Sequence, residues 1–223
     1  MAELLTGAPP IYDQHASYKT NFPKFFDWAC SLEDPRKQIP EIGEQLGFGV
    51  RRHPLGFIAV YLSPQSQRPD SPFADMGITG IARANIYPGD VSVKEDIHSH
   101  GFDFEAGGVD GTLLNTRFFP DFHNPLSEGE GLIGYETRVG VWGDINHVEQ
   151  VTGAVVRATD STTYEVSPGD TYSLRPRNEF HRVHAADSGG VVTIFCKTTP
   201  YQGNAGMSLM LINPGDPPPP ARY

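Results

Sequence analysis

The sequence predicts an all-β domain preceded by one or two short helices. Glycine and proline together interrupt the chain often, with 24 glycines and 20 prolines among 223 residues, as in all-β proteins. From residue 57 onward, apolar residues alternate with polar ones or form short runs. These segments recur at a spacing of roughly 8 to 12 residues, which is typical of a β-sandwich or a barrel.

The first 50 residues follow a different pattern. Helical spacing is shared by four apolar residues, Phe22, Phe25, Phe26 and Ala29. Asn21 is the expected cap of this helix, and a second short helix is expected from Asp34 to about residue 47. Pro40 should kink or interrupt that second helix. We expect residues 1–50 to form a helical extension that packs on the β-domain.

The β-domain is expected to span residues 51–212. The predicted strands are 57–62, 78–87, 91–100, 112–119, 132–142, 148–158, 163–166, 172–174, 180–184 and 191–197, with a further one at 207–212. The residues at 160–161 and 187–190 predict hairpin turns, because Asp, Ser and Gly tolerate the backbone angles that such turns need. The Pro-rich segment 213–223 predicts an extended or disordered tail.

Charge and cysteine content exclude several classes of function. The chain has a formal net charge of -10 and no local cluster of basic residues, so it lacks the positive surface that nucleic acids or anionic membranes require. Cys30 and Cys196 are too far apart in sequence to suggest a disulfide scaffold or a thiolate zinc site. The N-terminal segment lacks the features of a signal peptide, and no apolar stretch is long enough for a membrane span. We therefore expect a cytoplasmic protein.

Two histidines separated by one residue are the strongest candidates for chemistry. On a strand, His98 and His100 project from the same face, so both imidazoles can bind one divalent metal ion. Glu105 follows after a short turn and could return on the neighbouring strand to offer a carboxylate. His181 begins another predicted strand about 80 residues later, where it can meet the first pair in an antiparallel barrel.

This pattern resembles the two motifs of the cupin superfamily. There the first motif contains His-X-His, three or four residues and a glutamate, and the second contains Pro-X-Gly, a short gap and a histidine. The matching residues are His98, His100 and Glu105 in the first motif, and Gly169, Pro176 and His181 in the second. The resemblance covers residues 78–198 and implies a cupin-type jelly-roll β-barrel with one metal ion inside it.

The resemblance leaves the ligand set open. Some cupins, including the thiol dioxygenases, bind iron through three histidines without the carboxylate. Both a three-histidine set and a set that adds Glu105 are therefore compatible with this sequence. Imidazole and carboxylate ligands suit Fe(II), Mn(II), Ni(II), Co(II) or Zn(II), and the ligands alone do not choose among these metals.

The function that the resemblance favours is that of a mononuclear non-haem Fe(II) dioxygenase or oxygenase, acting on a small organic substrate and O2. A metal-dependent lyase, isomerase or epimerase is one alternative, because the same fold supports Lewis-acid chemistry. A non-catalytic cupin that binds a small molecule is another. The resemblance also implies a homodimer as one possible assembly.

Several other side chains are candidates for the substrate pocket or for a structural role. The pocket candidates are Phe102, Phe104, Arg117 and Tyr135. A guanidinium group can hold a substrate carboxylate, so Arg83, Arg175 and Arg182 share this option with Arg117, although strand arginines are commonly exposed. The remaining histidines, His15, His53, His123, His147 and His184, are expected outside the site. Cys196 is expected to be a buried apolar residue.

Overall fold

The fold was obtained as a computed structural model. The structure describes residues 18–45, 47, 49–53, 56–62, 81–89, 97–100, 102–126, 132–139, 145–175, 179–197 and 207–212. Only the backbone is described at residues 18, 81, 120–126, 132–139, 145–160, 207–210 and 212. The predicted tail at 213–223, residues 91–96 of a predicted strand, His15 and Pro176 lie outside the described residues.

Two helices precede the strands, as predicted: α1 (Tyr18–Cys30) and α2 (Pro35–Gln45). The first begins three residues before the expected cap, so Asn21 lies inside α1 and is fully buried. Asp34 caps α2 by accepting a hydrogen bond from the backbone N–H of Lys37 at 3.3 Å. The predicted interruption at Pro40 does not occur, because the fully buried Ile39 fixes α2 against the sheet through this position.

Twelve strands follow the helices within the described residues. In chain order they are β1 (Val50–Arg52), β2 (Ile58–Tyr61), β3 (Ile81–Tyr87), β4 (Ile97–His98), β5 (Phe104–Asp110), β6 (Leu113–Leu126), β7 (Leu132–Val139), β8 (Ile145–Val166), β9 (Thr171–Leu174), β10 (Phe180–Ala185), β11 (Val191–Lys197) and β12 (Met207–Ile212). All the strand pairings between them are antiparallel. The predicted all-β class with two N-terminal helices is confirmed.

The strands form two sheets. The first sheet has the order β1-β2-β3-β11-β5-β9, and the second has the order β10-β4-β12-β7-β8-β6 and closes on itself through pairing of β6 with β10. A cluster of buried residues joins the two sheets, with Tyr87 and Val191 from the first and Leu113 and Val183 from the second. This two-sheet arrangement agrees with the predicted jelly-roll.

The two faces of the first sheet have different neighbours. Phe25 of α1 and Ile39 of α2 pack in one cluster with Ala84 and Ile194, so the helices cover one face of this sheet. The other face, called the inner face below, is directed at the second sheet. Because side chains alternate along a strand, residues two positions apart share a face. The inner face of β11 therefore carries Phe195 and Lys197.

Two predicted turns differ from the structure. The expected hairpin at 160–161 lies inside β8, where Ser161 pairs with Phe118 and Ala158 pairs with Pro120. Between these two pairs, two residues of β8 oppose one of β6, so these turn-forming residues accommodate a β-bulge instead of reversing the chain. The segment 187–190 does turn, but it links β10 of the second sheet to β11 of the first and is not a hairpin.

Candidate metal centre

Three histidines meet between the two sheets. His98 is the last residue of β4, and it lies opposite His181 of β10 in the strand register. His100 follows two residues after His98. One ring nitrogen from each of the three lies within 4.8 Å of the others, and the Nε2 atoms of His100 and His181 are 3.0 Å apart. The structure thus brings together the three histidines that the sequence singled out.

Burial keeps these imidazoles in the form that binds metals. His98 is 8% exposed and His181 is 4% exposed. Burial lowers the pKa of His100 and of His181 well below the usual value of 6.5, and the neighbouring His98 lowers both further. His100 and His181 are therefore uncharged at neutral pH, with a nitrogen lone pair on each ring available to a cation.

The separation of one nitrogen pair suits a shared metal ion. Two nitrogens bound to one ion at 2.0–2.1 Å, in directions at right angles, lie about 3 Å apart. The Nε2 atoms of His100 and His181 have this separation, which is also that of a direct N–H···N hydrogen bond. The ligand atoms of all three histidines lie within 4.8 Å of one another, so a third imidazole lies beside this pair. In addition, Nδ1 of His181 is buried without a hydrogen-bond partner among the described residues.

Aromatic rings from the first sheet enclose the histidines. The Phe104 ring centroid lies 4.7 Å from that of His100 and 5.9 Å from that of His181. Phe102 lies 5.1 Å from His100, and Phe195 packs on Phe104 at 4.8 Å. The predicted pocket residues Phe102 and Phe104 thus line the cluster. Their apolar surface lowers the local polarity beside the histidines, which strengthens electrostatic interactions there.

Two cationic side chains lie beside the same wall. The guanidinium carbon of Arg83 is 4.6 Å from the Phe195 ring centroid and 5.6 Å from that of Phe57. Nζ of Lys197 is 4.5 Å from the Phe102 ring centroid. Burial, together with the nearby charge of Arg83, lowers the pKa of Lys197 to about 7. Both cations also contribute to the lowered pKa of His100, which places them near the cluster.

Glu105 is not a member of the histidine cluster. The chain crosses between the sheets after His100, so β5 pairs with β11 and β9 and not with β4. Phe104 is directed at the histidines, and its neighbour Glu105 is therefore directed at the opposite, helix-covered face, where its charge contributes to the raised pKa of Cys196. The expectation that Glu105 would return beside the histidines is wrong for this reason, and the cluster among the described residues consists of His98, His100 and His181.

Arg117 lies next to the cluster but is held by other groups. It is opposite His181 in the register of β6 and β10. Its Nε donates to the Tyr164 hydroxyl at 3.1 Å, its Nη2 donates to the Ser173 carbonyl at 2.7 Å, and its Nη1 is 3.7 Å from Glu179 Oε2. These contacts occupy its guanidinium.

The remaining predicted pocket residue is described by its backbone alone. Tyr135 pairs with Met210, which in turn pairs with His98, so Tyr135 is two strands away from the cluster. Its side chain lies outside the described residues, as do those of His123 and His147.

The structure adds His53 to the surroundings of the cluster. Its ring stacks on Phe57 at 4.2 Å between centroids, and burial, then Arg83 and His98, lower its pKa well below 6.5. No sequence pattern marked His53, because it follows β1 and meets the cluster only through the packing of the sheets. Lys197 did have a signal in the sequence, since it alternates with the inward-facing Phe195.

Comparisons with known proteins give only remote similarities. No protein-family model matches the sequence, and no curated protein matches it. An RmlC-like cupin from Shewanella frigidimarina has a TM-score of 0.36 and 11% identity, covering 72% of this chain and 89% of that one. Drosophila melanogaster CENP-C has a TM-score of 0.38 and 6% identity, covering 74% and 98%.

A hydroquinone 1,2-dioxygenase from Sphingomonas has a TM-score of 0.31 and 12% identity, covering 53% of this chain. The similarity spans only 59% of the dioxygenase chain, which is less than two thirds of its length. These similar structures include an RmlC-like cupin. At such TM-scores the function has to be argued from the geometry of this chain alone. Within the described residues, neither helix is long and apolar enough to cross a membrane.

Proposed function

We propose that this chain is a mononuclear non-haem Fe(II) dioxygenase or oxygenase that acts on a small organic substrate. The observation that supports the proposal most directly is the convergence of His98, His100 and His181, with ligand atoms within 4.8 Å of one another. Three imidazoles suit Fe(II). Because this ion accepts more than three ligands, three histidines would leave positions on it for other molecules. When bound, the ion would supply adjacent positions for substrate and O2.

The other residues of the site have supporting roles in this proposal. Two of the histidines, His98 and His181, are held by paired strands, so their relative positions depend on main-chain hydrogen bonds, and His100 follows two residues after His98. Phe102, Phe104 and Phe195 place an apolar wall beside them. An apolar wall beside a metal site favours oxygenation of an organic molecule because it helps to orient the reactants.

The first test is the metal content of protein purified under anaerobic conditions. Plasma mass spectrometry is expected to find about one iron ion per chain in the wild type. His181→Ala removes one of three ligands and is expected to lower the affinity for Fe(II) at least tenfold. His184→Ala is the matched control, because this residue lies on the same strand but on the opposite face, and its iron content is expected to equal that of the wild type.

Oxygen uptake by the iron-loaded protein then tests the reaction. We expect consumption of O2 with at least one member of a panel of small organic acids, phenols and thiols, and no consumption by His181→Ala. Stoichiometric zinc, manganese or nickel with turnover in the absence of O2 would instead support a lyase or isomerase. A wild type that takes up no Fe(II) would contradict the metal site itself. His181→Gln, which retains a polar side chain, separates loss of the ligand from loss of folding.

A further inference from the structure

We propose that Arg83 and Lys197 form a carboxylate-binding subsite beside the three histidines, so that the substrate is a small organic anion. This inference deepens the proposed function and rests on it for the position of the reacting centre. Arg83 lies on β3 and Lys197 on β11, which are neighbouring strands of the first sheet. Both side chains are on the inner face that carries Phe195.

The two cations are placed together at an electrostatic cost. Arg83 is charged at all physiological pH values, and its field contributes to the low pKa of Lys197. Among the residues that the structure describes, no carboxylate forms an ion pair with either side chain. An anion bound between them would offset their repulsion and the loss of hydration.

Unpaired polar atoms face the same space between the sheets. Within the part of the chain that the structure describes, Nε of Arg83 is buried without a hydrogen-bond partner, as are Oδ1 of Asn85 and both polar atoms of the Asn115 side chain. Asn85 is 5% exposed and Asn115 is fully buried. By strand alternation, Asn85 shares the inner face of β3 with Arg83, and Asn115 lies two residues from Arg117, which is opposite His181. Buried polar atoms are normally paired, so these groups indicate a polar ligand in this space.

The surrounding aromatic rings indicate the chemical character of the part of the ligand that carries the carboxylate. Arg83 lies over the rings of Phe57 and Phe195, and Lys197 lies over Phe102. A guanidinium group presents its N–H groups in a fixed fork, which suits the two oxygens of a carboxylate. The aromatic wall suits an apolar body attached to that carboxylate. The chemical class is therefore a compact carboxylic acid with an apolar part.

Calorimetric titration of the metal-loaded protein tests this inference. The probes are benzoate and propionate, with benzamide as the neutral counterpart of benzoate and inorganic phosphate as an anion of another shape. We expect saturable binding of at least one carboxylate and at least tenfold weaker binding of benzamide and phosphate. Arg83→Gln and Lys197→Met are each expected to weaken carboxylate binding tenfold or more. The affinity of the double variant for the carboxylate should fall by a smaller factor than the product of the two single-variant factors, because both groups hold the same carboxylate.

Arg175→Gln is the matched control. It removes one positive charge at an exposed position and is expected to change the affinity less than twofold. Arg83→Lys retains the charge and keeps the test valid if Arg83→Gln fails to fold. Four results would each overturn the inference. Two concern the ligands: benzoate and benzamide bind equally, or phosphate binds more tightly than the carboxylates. The other two are carboxylate binding that is unchanged in Arg83→Lys and Lys197→Met, and no carboxylate binding at all.

The metal content distinguishes this result from failure of the proposed function. If the protein takes up no Fe(II) but metal-free protein binds benzoate through Arg83 and Lys197, the subsite exists without the oxygenase. If one Fe(II) binds per chain in the wild type and in both variants, while no carboxylate binds, the metal site remains and the subsite is refuted.

Discussion

The ionisation of the Lys197 side chain differs strongly from its behaviour in water. Its pKa falls from the usual 10.5 to about 7, through burial and then the charge of Arg83. The unfolded chain therefore binds more protons than the folded one between pH 7 and 10, so stability should rise with pH across that window. Lys197→Met is expected to raise the thermal midpoint at pH 7 and to remove most of this rise.

The thermal midpoints of wild type and variant between pH 7 and 10 provide the measurement. Lys37→Met, at an exposed position on α2, is the control and should follow the wild type at every pH. The groups that act on Lys197 are Arg83 from β3, which lowers its pKa, and His100 after β4, whose own pKa the lysine lowers. Parallel curves for wild type and Lys197→Met would contradict the prediction.

The positions of individual site residues were predictable where their spacing in the sequence determines their spacing in the structure. His98 and His100 lie close together because they are only two positions apart, although only His98 is in β4, and the second motif marked His181, which lies opposite His98 in the strand register. The reasoning failed for Glu105 because the chain changes sheets before it, and no local pattern reports such a crossing. His53 became visible only when the sheets were packed, whereas Lys197 alternates with the inward-facing Phe195.

At the level of the elements, α1 is attached to the first sheet by buried aromatic residues. Phe25 is fully buried in the cluster that α1 and α2 share with this sheet. Phe25→Ala is expected to lower the free energy of unfolding by about 3–5 kcal/mol, because it leaves a cavity at this contact. Equilibrium urea unfolding gives the value, and Lys24→Ala, on the exposed side of the same helix, should change it by about 0.5 kcal/mol or less.

The iron content is a second measurement on the same variant. The α1 contact and the three histidines are on opposite faces of the first sheet. Folded Phe25→Ala is thus expected to bind as much Fe(II) per chain as the wild type. A loss of iron below the unfolding transition would show that the helix supports the metal centre, contrary to this prediction.

The strands were easier to predict than their connections. Segments such as 191–197 were located because apolar runs bounded by turn-forming residues are a local signal. The bulge in β8 was mistaken for a turn, since Asp and Ser favour both structures. The link from β10 to β11 was mistaken for a hairpin, because sheet membership depends on contacts between residues far apart in sequence.

For the molecule as a whole, buried histidines set the response to acid. The pKa values of His53, His100 and His181 all lie well below 6.5 in the folded chain. As pH falls below 6.5, the unfolded chain takes up protons that the folded chain does not, so metal-free protein should lose stability steadily. His53→Gln removes one of these groups and should make the loss less steep, as urea midpoints between pH 7 and 5 would show. A midpoint that does not change over this range would refute the prediction.

The two cysteines differ in burial, and this difference can be used to time the opening of the structure. Cys30 is exposed, whereas Cys196 is fully buried, and burial followed by the charge of Glu105 raises the pKa of its thiol to about 12. Partial burial and the charge of Asp27 raise the pKa of the Cys30 thiol, but its exposure lets a thiol reagent reach it in the folded protein. The reagent should therefore modify Cys30 first, and Cys196 only when β11 separates from its neighbours.

The rate at which Cys196 reacts therefore measures how often the strand that carries Lys197 opens. If Fe(II) and a bound carboxylate hold the two sheets together, both should slow this reaction in proportion to their occupancy. The reaction rate of the buried Cys196 thiol thus reports how often the space between the sheets opens, and it can be measured without knowing the substrate.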